Sequence, residues 1–342
     1  MRISPTTEGF RAAFRRPSLA LAEIMWRWTV GATATSLLIF GLFEYLRTLP
    51  VTNGELLFLR TRHPYLVGEA IAHILRGSGS RALIAGLLAA LLLTMVWIVA
   101  ASVGRIATVR GLLEYFRSDV ASNVSTDDVW APLTALLRLN FLRVTVAVAA
   151  LIGFAGAGIL AGFASPAANP RPGVAFLLFV PLAALVCFLW GVLNWILSLA
   201  GMFAVRDDED AVGAIASAVT FCRERTGAVF AVSTWTGMAH LVAFVAAGTV
   251  ASMPMGFAGI VAWRLVVAVM IIVTMAYFAL ADWLYMARLA GYVCIAETPE
   301  ALLAPLPPAP QRVQPPPGPP LQTTIDRDEP ILSDLPNLAV ET

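Results

Sequence analysis

Thirty-four consecutive residues, 172–205, contain no charged side chain. An aqueous domain rarely offers that, because about one residue in four of a soluble chain is charged. A bilayer's hydrocarbon core of about 30 Å needs roughly 20 apolar residues at about 1.5 Å of helix rise each. The same pattern recurs along the chain. Ala82 to Gly104 is bracketed by Arg81 and Arg105, Val144 to Phe163 is rich in alanine and glycine, and nothing is charged between Arg225 and Arg264. That last run is too long for one span, and Pro254 and Gly256 divide it. A first span covers Trp28 to Leu46; positive residues precede it and no small-residue cleavage site follows, so it reads as an uncleaved anchor. These runs predict an all-α polytopic membrane bundle of about six transmembrane helices. The spans fall at about 28–46, 82–104, 144–163, 176–200, 228–252 and 260–285 of a membrane domain covering 28–296.

Composition agrees and excludes several classes. The 342 residues are 58% hydrophobic and 13% charged, with a mean hydropathy of +0.78. A net charge of +1 argues against nucleic acid as a partner, which needs clustered cations. Cys187, Cys222 and Cys294 are far apart and form neither a metal pair nor a disulfide framework. No zinc-protease, nucleophile-elbow, phosphate-loop or dinucleotide motif occurs, and no cofactor is implied. Gly153, Gly156, Gly158 and Gly162 lie inside a span, where small residues favour close helix packing.

Every one of the 23 basic residues is arginine. With the N-terminus inside, fourteen flank the cytoplasmic ends of the spans and seven the outer ends, so the positive-inside rule places both termini on the cytoplasmic side of the membrane. Residues 1–27 then form a cytoplasmic amphipathic segment. The even-numbered spans end alike, at Trp97-Ile98, Trp195-Ile196 and Trp283-Leu284. An amphipathic cytoplasmic stretch precedes each odd-numbered span. Phe10 and Phe14 mark the first, which Pro17 breaks; Ser125 and Asp128 have capping-box spacing ahead of a Trp130, Leu133, Leu137, Phe141 stripe. In the third, Val212, Ile215, Val219 and Cys222 line one face. The repeating unit suggested is an amphipathic helix followed by a helical hairpin, three times over; interfacial tryptophans alone would give the same matches.

The third of these stretches, DDEDAVGAIASAVTFCRERTGAVFAV, resembles an uncharacterised group of bacterial six-helix membrane proteins. That group is similar to the membrane domain found ahead of some glycerophosphodiester phosphodiesterases. In hydropathy pattern the resemblance extends over about residues 8–296. It implies a membrane module and brings no catalytic residue, since the phosphodiesterase's His and Glu metal ligands have no counterpart here.

Polar groups within a bilayer are costly and are functional suspects for that reason. Asn194 and Asp282 immediately precede two of the repeated tryptophans, and His240 lies near the middle of the fifth span; together they are the candidate intramembrane site. Helix–helix hydrogen bonding would explain Asn194 and His240 equally, and an interfacial position Asp282. Arg264 can snorkel to the headgroups. In the first outer loop, His63, Glu69 and His73 are weak metal candidates, Glu69 and His73 sharing a helix face. The apolar stripe of Leu66, Val67, Ala70, Ile71, Ile74 and Leu75 suits an amphipathic helix on the outer leaflet better.

From residue 297 composition changes: twelve of the 22 prolines lie between Pro299 and Pro336. A disordered, proline-rich cytoplasmic tail is expected. Its end, DEPILSDLPNLAVET, alternates acidic and apolar residues as a docking peptide for a cytoplasmic partner would, although a plain tether has the same composition. The expected function is a non-enzymatic membrane packing or recruitment module, with the lipid bilayer as its first partner. A small-solute or lipid transporter is the alternative.

Overall fold

The computed structural model describes residues 4–49, 51–61, 63–117, 130–166, 170–256 and 262–299. Among these there are ten helices and no strand. They are α1 (Pro5–Arg15), α2 (Pro17–Arg47), α3 (Asn53–Arg60), α4 (Pro64–Leu75), α5 (Gly79–Arg117), α6 (Trp130–Ala164), α7 (Pro172–Arg206), α8 (Ala211–Glu224), α9 (Thr226–Gly256) and α10 (Trp263–Glu297). Six of them, α2, α5, α6, α7, α9 and α10, are long and apolar enough to cross a membrane. The protein is an all-α, multi-pass membrane bundle. The tail beyond residue 299 and the Ser125–Asp128 capping box lie outside the described residues.

The spans pair as antiparallel hairpins. Near one end of the α2/α5 pair Leu19 abuts Gly111 and Trp26 abuts Gly104; near the other, the hydroxyls of Tyr45 and Ser78 are 3.0 Å apart. In the α6/α7 pair Arg143 meets Asn194 and Gly153 meets Val186. In the α9/α10 pair Ser233 meets Tyr292 and His240 meets Tyr277.

Each of these helices exceeds the span expected from hydropathy. The six run from 31 to 39 residues, where about 20 suffice. The boundary expected at residue 27 falls inside α2, which begins at Pro17 because proline is well placed in a helix's first turn. Likewise the amphipathic stretch expected at 130–141 is no separate element but the first turns of α6.

The additional turns gather at one end, and there the core lies. It consists of the C-terminal parts of α5, α7 and α10, the N-terminal parts of α6 and α9, and the two short helices α1 and α8, centred on Leu112, Leu136, Leu199, Met202, Met286 and Ile295. Over the most apolar stretch of each span no more than 17% is buried, so the remaining lengths of helix are faced by lipid. Helix α8 is capped by Asp210, whose side chain accepts from the Gly213 amide at 2.9 Å. Its inward residues are Ala214, Ala218 and Phe221. Of the stripe expected along one face, Val212 and Val219 are 73% and 39% exposed, while Ile215 and Cys222 pack against the core. The turn into α8 passes through Asp208 at φ 52°, a left-handed conformation that aspartate tolerates.

Helix α1 docks by backbone proximity. A Cβ added to Gly9 would fall 2.8 Å from the Gly291 nitrogen on α10, and Phe10 and Phe14 pack on Trp283 with ring centroids 5.6 and 4.7 Å apart. Gly9→Leu should therefore cost α1 docking about 2 kcal/mol, the usual scale for overpacking. Tryptic cleavage at Arg11 to Arg16 is expected to accelerate about tenfold or more; an unchanged rate would mean that α1 does not sit on α10.

Candidate functional site

Where the packed end meets the lipid-facing lengths of helix, a polar cluster joins α2, α5, α6, α7 and α10. Its hub is Arg27. The guanidinium donates to Glu23 Oε1 from Nε at 2.8 Å and to Asp282 Oδ1 from Nη1 at 3.0 Å. Its carbon stands 4.2 Å from the centroid of the Tyr285 ring. Glu23 is only 2% exposed, and its other oxygen accepts from Trp26 Nε1 at 2.8 Å and the Thr108 hydroxyl at 2.6 Å. Trp28 Nε1 donates to Asp282 Oδ2 at 3.1 Å. Both carboxylates are thus spent on one arginine and its neighbours.

Two further arginines have neutral partners. Arg105 donates to the Tyr285 hydroxyl and to the Ser198 carbonyl, each at 2.6 Å. Arg143 donates to Asn194 Oδ1 at 3.0 Å and lies 6.0 Å from the Trp97 ring centroid. Neither has a carboxylate partner among the described residues. Arg288 lies 5.6 Å from the Tyr285 centroid. Arg27, Arg105, Arg143 and Tyr285 wall a cavity of about 310 Å³, together with Glu23 and Trp97. Four arginines thus surround this region against two carboxylates, Glu23 and Asp282. Beside it Asn140 donates to the buried Ser102 hydroxyl at 2.9 Å.

Helix geometry locates the cluster relative to the bilayer. From Arg27 to the far end of α2 are 20 residues, from Arg143 to the end of α6 are 21, and from Tyr285 back to the start of α10 are 22. At 1.5 Å per residue these lengths are about 30–33 Å, one hydrocarbon thickness. The cluster therefore lies at a membrane boundary, and the packed end projects beyond it.

Asn194 and Asp282 belong to this cluster as partners of Arg143 and Arg27. His240 does not: it is exposed, and its Nε2 lies 3.2 Å from the Tyr277 hydroxyl. The three candidates do not converge on one cavity, because His240 sits among Tyr277 and Phe244 on the α9/α10 pair. The weak metal candidates are likewise not gathered. His73 Nδ1 meets Glu55 of α3, while Glu69 and His63 are exposed; among the described residues no three His, Cys, Asp or Glu side chains come together. Glu55 also closes a capping box with Thr52, and the hydrogen bonds from Thr52, then from His73, hold its carboxyl below the usual range. Arg264 is exposed at the far end of α10.

A second polar group secures the end of α10. Glu297 accepts from Arg117 Nε at 2.8 Å and from Arg206 Nε at 2.7 Å. Arg206 also reaches the Ala296 carbonyl at 3.2 Å, and Arg225 the carbonyls of Ile295 and Thr298. These are the carbonyls a helix C-terminus leaves unpaired. Burial alone would raise the Glu297 carboxyl; the two arginines overcome it and hold it below the ordinary range.

Sequence reasoning missed Glu23, Arg27, Arg105 and Arg143 as site residues. The i,i+4 spacing of Glu23 and Arg27 was an available signal; their meeting with Asp282, 255 residues away, had none. No family model, curated protein or solved structure matches this chain.

Replacing Arg27 with leucine would leave the buried Glu23 and the half-buried Asp282 without their cation. The bundle is expected to lose about 3–5 kcal/mol, the scale for breaking a buried pair from one side, read by thermal unfolding in detergent; a loss below 1 kcal/mol would remove Arg27 as the hub. A depressed carboxylate stabilises fully above its unfolded pKa of about 4.3 and loses that contribution as pH falls through its folded value. Glu297→Gln should therefore be less stable than the parent by about 2 kcal/mol at pH 7. That gap is expected to narrow steadily in thermal scans taken below pH 4.

Proposed function

We propose that the chain is a membrane module that acts by binding, and that it recruits a cytoplasmic partner on the face where its helices are packed. The observation that carries this reading is the clamp on residues 295–298. Arg117, Arg206 and Arg225 come from the ends of three other elements and fix where the proline-rich segment leaves the bundle. The anchoring fixes the start of that segment at the packed end, and its acidic-apolar end is the part we assign to the partner. The carboxylates Glu23, Asp282 and Glu297 are held in ion pairs, which suits structural and binding work better than proton transfer. In this reading the packed end faces the cytoplasm of a bacterial inner membrane, in keeping with the arginine distribution. Helices α1 and α8 would lie along its leaflet, a contact that the exposed Phe14 and Val212 suit. The resemblance to membrane domains found ahead of phosphodiesterases fits such an accessory role.

A second reading is favoured by one observation, the cavity walled by three arginines. It makes the chain a binder or carrier of a small anion or lipid, with Asn194 and Asp282 as supports of the site rather than its lining.

Deleting residues 299–342 tests the first reading. Affinity capture from solubilised membranes should lose, by tenfold or more, a partner retained by the full chain, while membrane insertion is unchanged. Equal capture by both forms would end the tail's part in recruitment.

A further inference from the structure

The arginine-lined cavity does not end at its polar walls. Trp26, Arg27 and Trp97 also wall an apolar groove of about 630 Å³ that runs between α2 and α5 and is edged by Val144 of α6. From Arg27 it passes Val30, Ala34 and Leu37 on α2. Ten residues separate Arg27 from Leu37, which carries the groove about 15 Å along the helix and away from the packed end. The hydroxyls of Thr29 and Thr33 within it donate to the carbonyls of Met25 and Thr29 at 2.7 and 2.8 Å. Both are engaged within α2, so beyond Arg27 the groove is lined mostly by hydrocarbon, with Thr94 its remaining hydroxyl.

We propose that cavity and groove form one binding site for an anionic phospholipid, its phosphate among Arg27, Arg105 and Arg143 and an acyl chain along α2. Charge selects the head. Four arginines face two carboxylates that are both engaged by Arg27, so the region carries excess positive charge that a phosphate offsets. Guanidinium groups also match phosphate oxygens by forked hydrogen bonding. Size permits it, since about 310 Å³ would hold about ten waters at roughly 30 Å³ each. Depth agrees as well, because the cluster lies about one hydrocarbon thickness from the far helix ends, where headgroup phosphates lie. The inference builds on the second reading's cavity and is independent of the tail.

The full-length protein in detergent is titrated with dioctanoyl phosphatidylglycerol, dioctanoyl phosphatidylcholine and sodium phosphate, and binding is read by calorimetry and native mass spectrometry. Phosphatidylglycerol is expected to bind one per chain, at least tenfold tighter than phosphatidylcholine and than sodium phosphate. Arg143→Gln should weaken it tenfold or more. Ala34→Trp fills the groove without touching an arginine, and should reduce lipid binding while leaving any weak phosphate binding as it was. Sodium phosphate binding as tightly as phosphatidylglycerol would identify a soluble-anion site; the cavity would stand and the lipid would not. Lipid binding that ignores both substitutions would be annular and would overturn the site, as would no saturable binding of either.

Discussion

Burying an apolar side chain is favourable only where the alternative is water. In hydrocarbon the alternative is a lipid tail, and that gain vanishes. This one constraint explains why the bundle packs tightly at a single end. The helices extend beyond the length a bilayer needs, and only in the extension do Leu112, Leu136, Leu199 and Met202 assemble a core of the kind a soluble domain has. The lipid-facing lengths keep their leucines and phenylalanines outward and meet through a few short contacts. Of the four α6 glycines expected to pack closely only Gly153 has a neighbour, Val186, while an added Cβ at Gly156, Gly158 or Gly162 would have none within 4 Å. Arg27 marks the boundary between the two regimes. On one side of it α2 is fixed by Leu19 against Gly111 and by Trp26 against Gly104; on the other it is bounded by the apolar groove.

The three repeated tryptophans acquire a structural meaning from their contacts. Trp97 of the first hairpin lies near Arg143 of the second. Trp195 of the second donates to the Tyr292 hydroxyl of the third at 3.0 Å. Trp283 of the third packs on Phe10 and Phe14 ahead of the first. Each hairpin's tryptophan therefore contacts the hairpin that follows, and the third returns to the beginning. The partners differ in kind, a cation, a phenol and two phenyl rings, so the arrangement is cyclic in position without being uniform in chemistry. Asn194 and Asp282, which precede two of these tryptophans, show the same divergence: one bonds within its own hairpin, the other reaches across to α2.

How much of this the sequence disclosed follows from what each signal measures. Charge-free runs measure lipid exposure directly, and they located all six spans. Hydrophobic periodicity groups the larger apolar residues of α8 on one face, and the structure divides that face, with Ile215 and Cys222 against the core and Val212 and Val219 exposed. Ala214 and Ala218 pack inward beside Phe221, small residues that an apolar stripe of larger side chains does not single out. Arginines at the ends of apolar runs carry orientation information in any membrane protein, so Arg27, Arg105 and Arg143 read as boundary markers. Only tertiary structure shows three of them turned towards one another. His240 drew notice for its depth alone, yet Tyr277 satisfies it on an exposed face. The Thr52–Glu55 capping box of α3 is legible by spacing, though the apolar stripe that follows it dominates the pattern of that loop.

The α2/α5 pair is fastened at both ends and open between them. Leu19, Trp26 and Arg27 secure one end, and the Tyr45–Ser78 hydrogen bond secures the other. A cofactor or solute confined to the arginine cavity would leave that opening to whichever lipids drift past. A molecule with a charged head and a long apolar body would fill both volumes and bridge helices that the protein itself joins only at their extremities. The same molecule would offset the charge of Arg105 and Arg143, which the polypeptide meets with an amide, a phenol and a carbonyl. One ligand class answers a packing deficit and a charge surplus that adjoin each other, and for that reason the two belong to a single site.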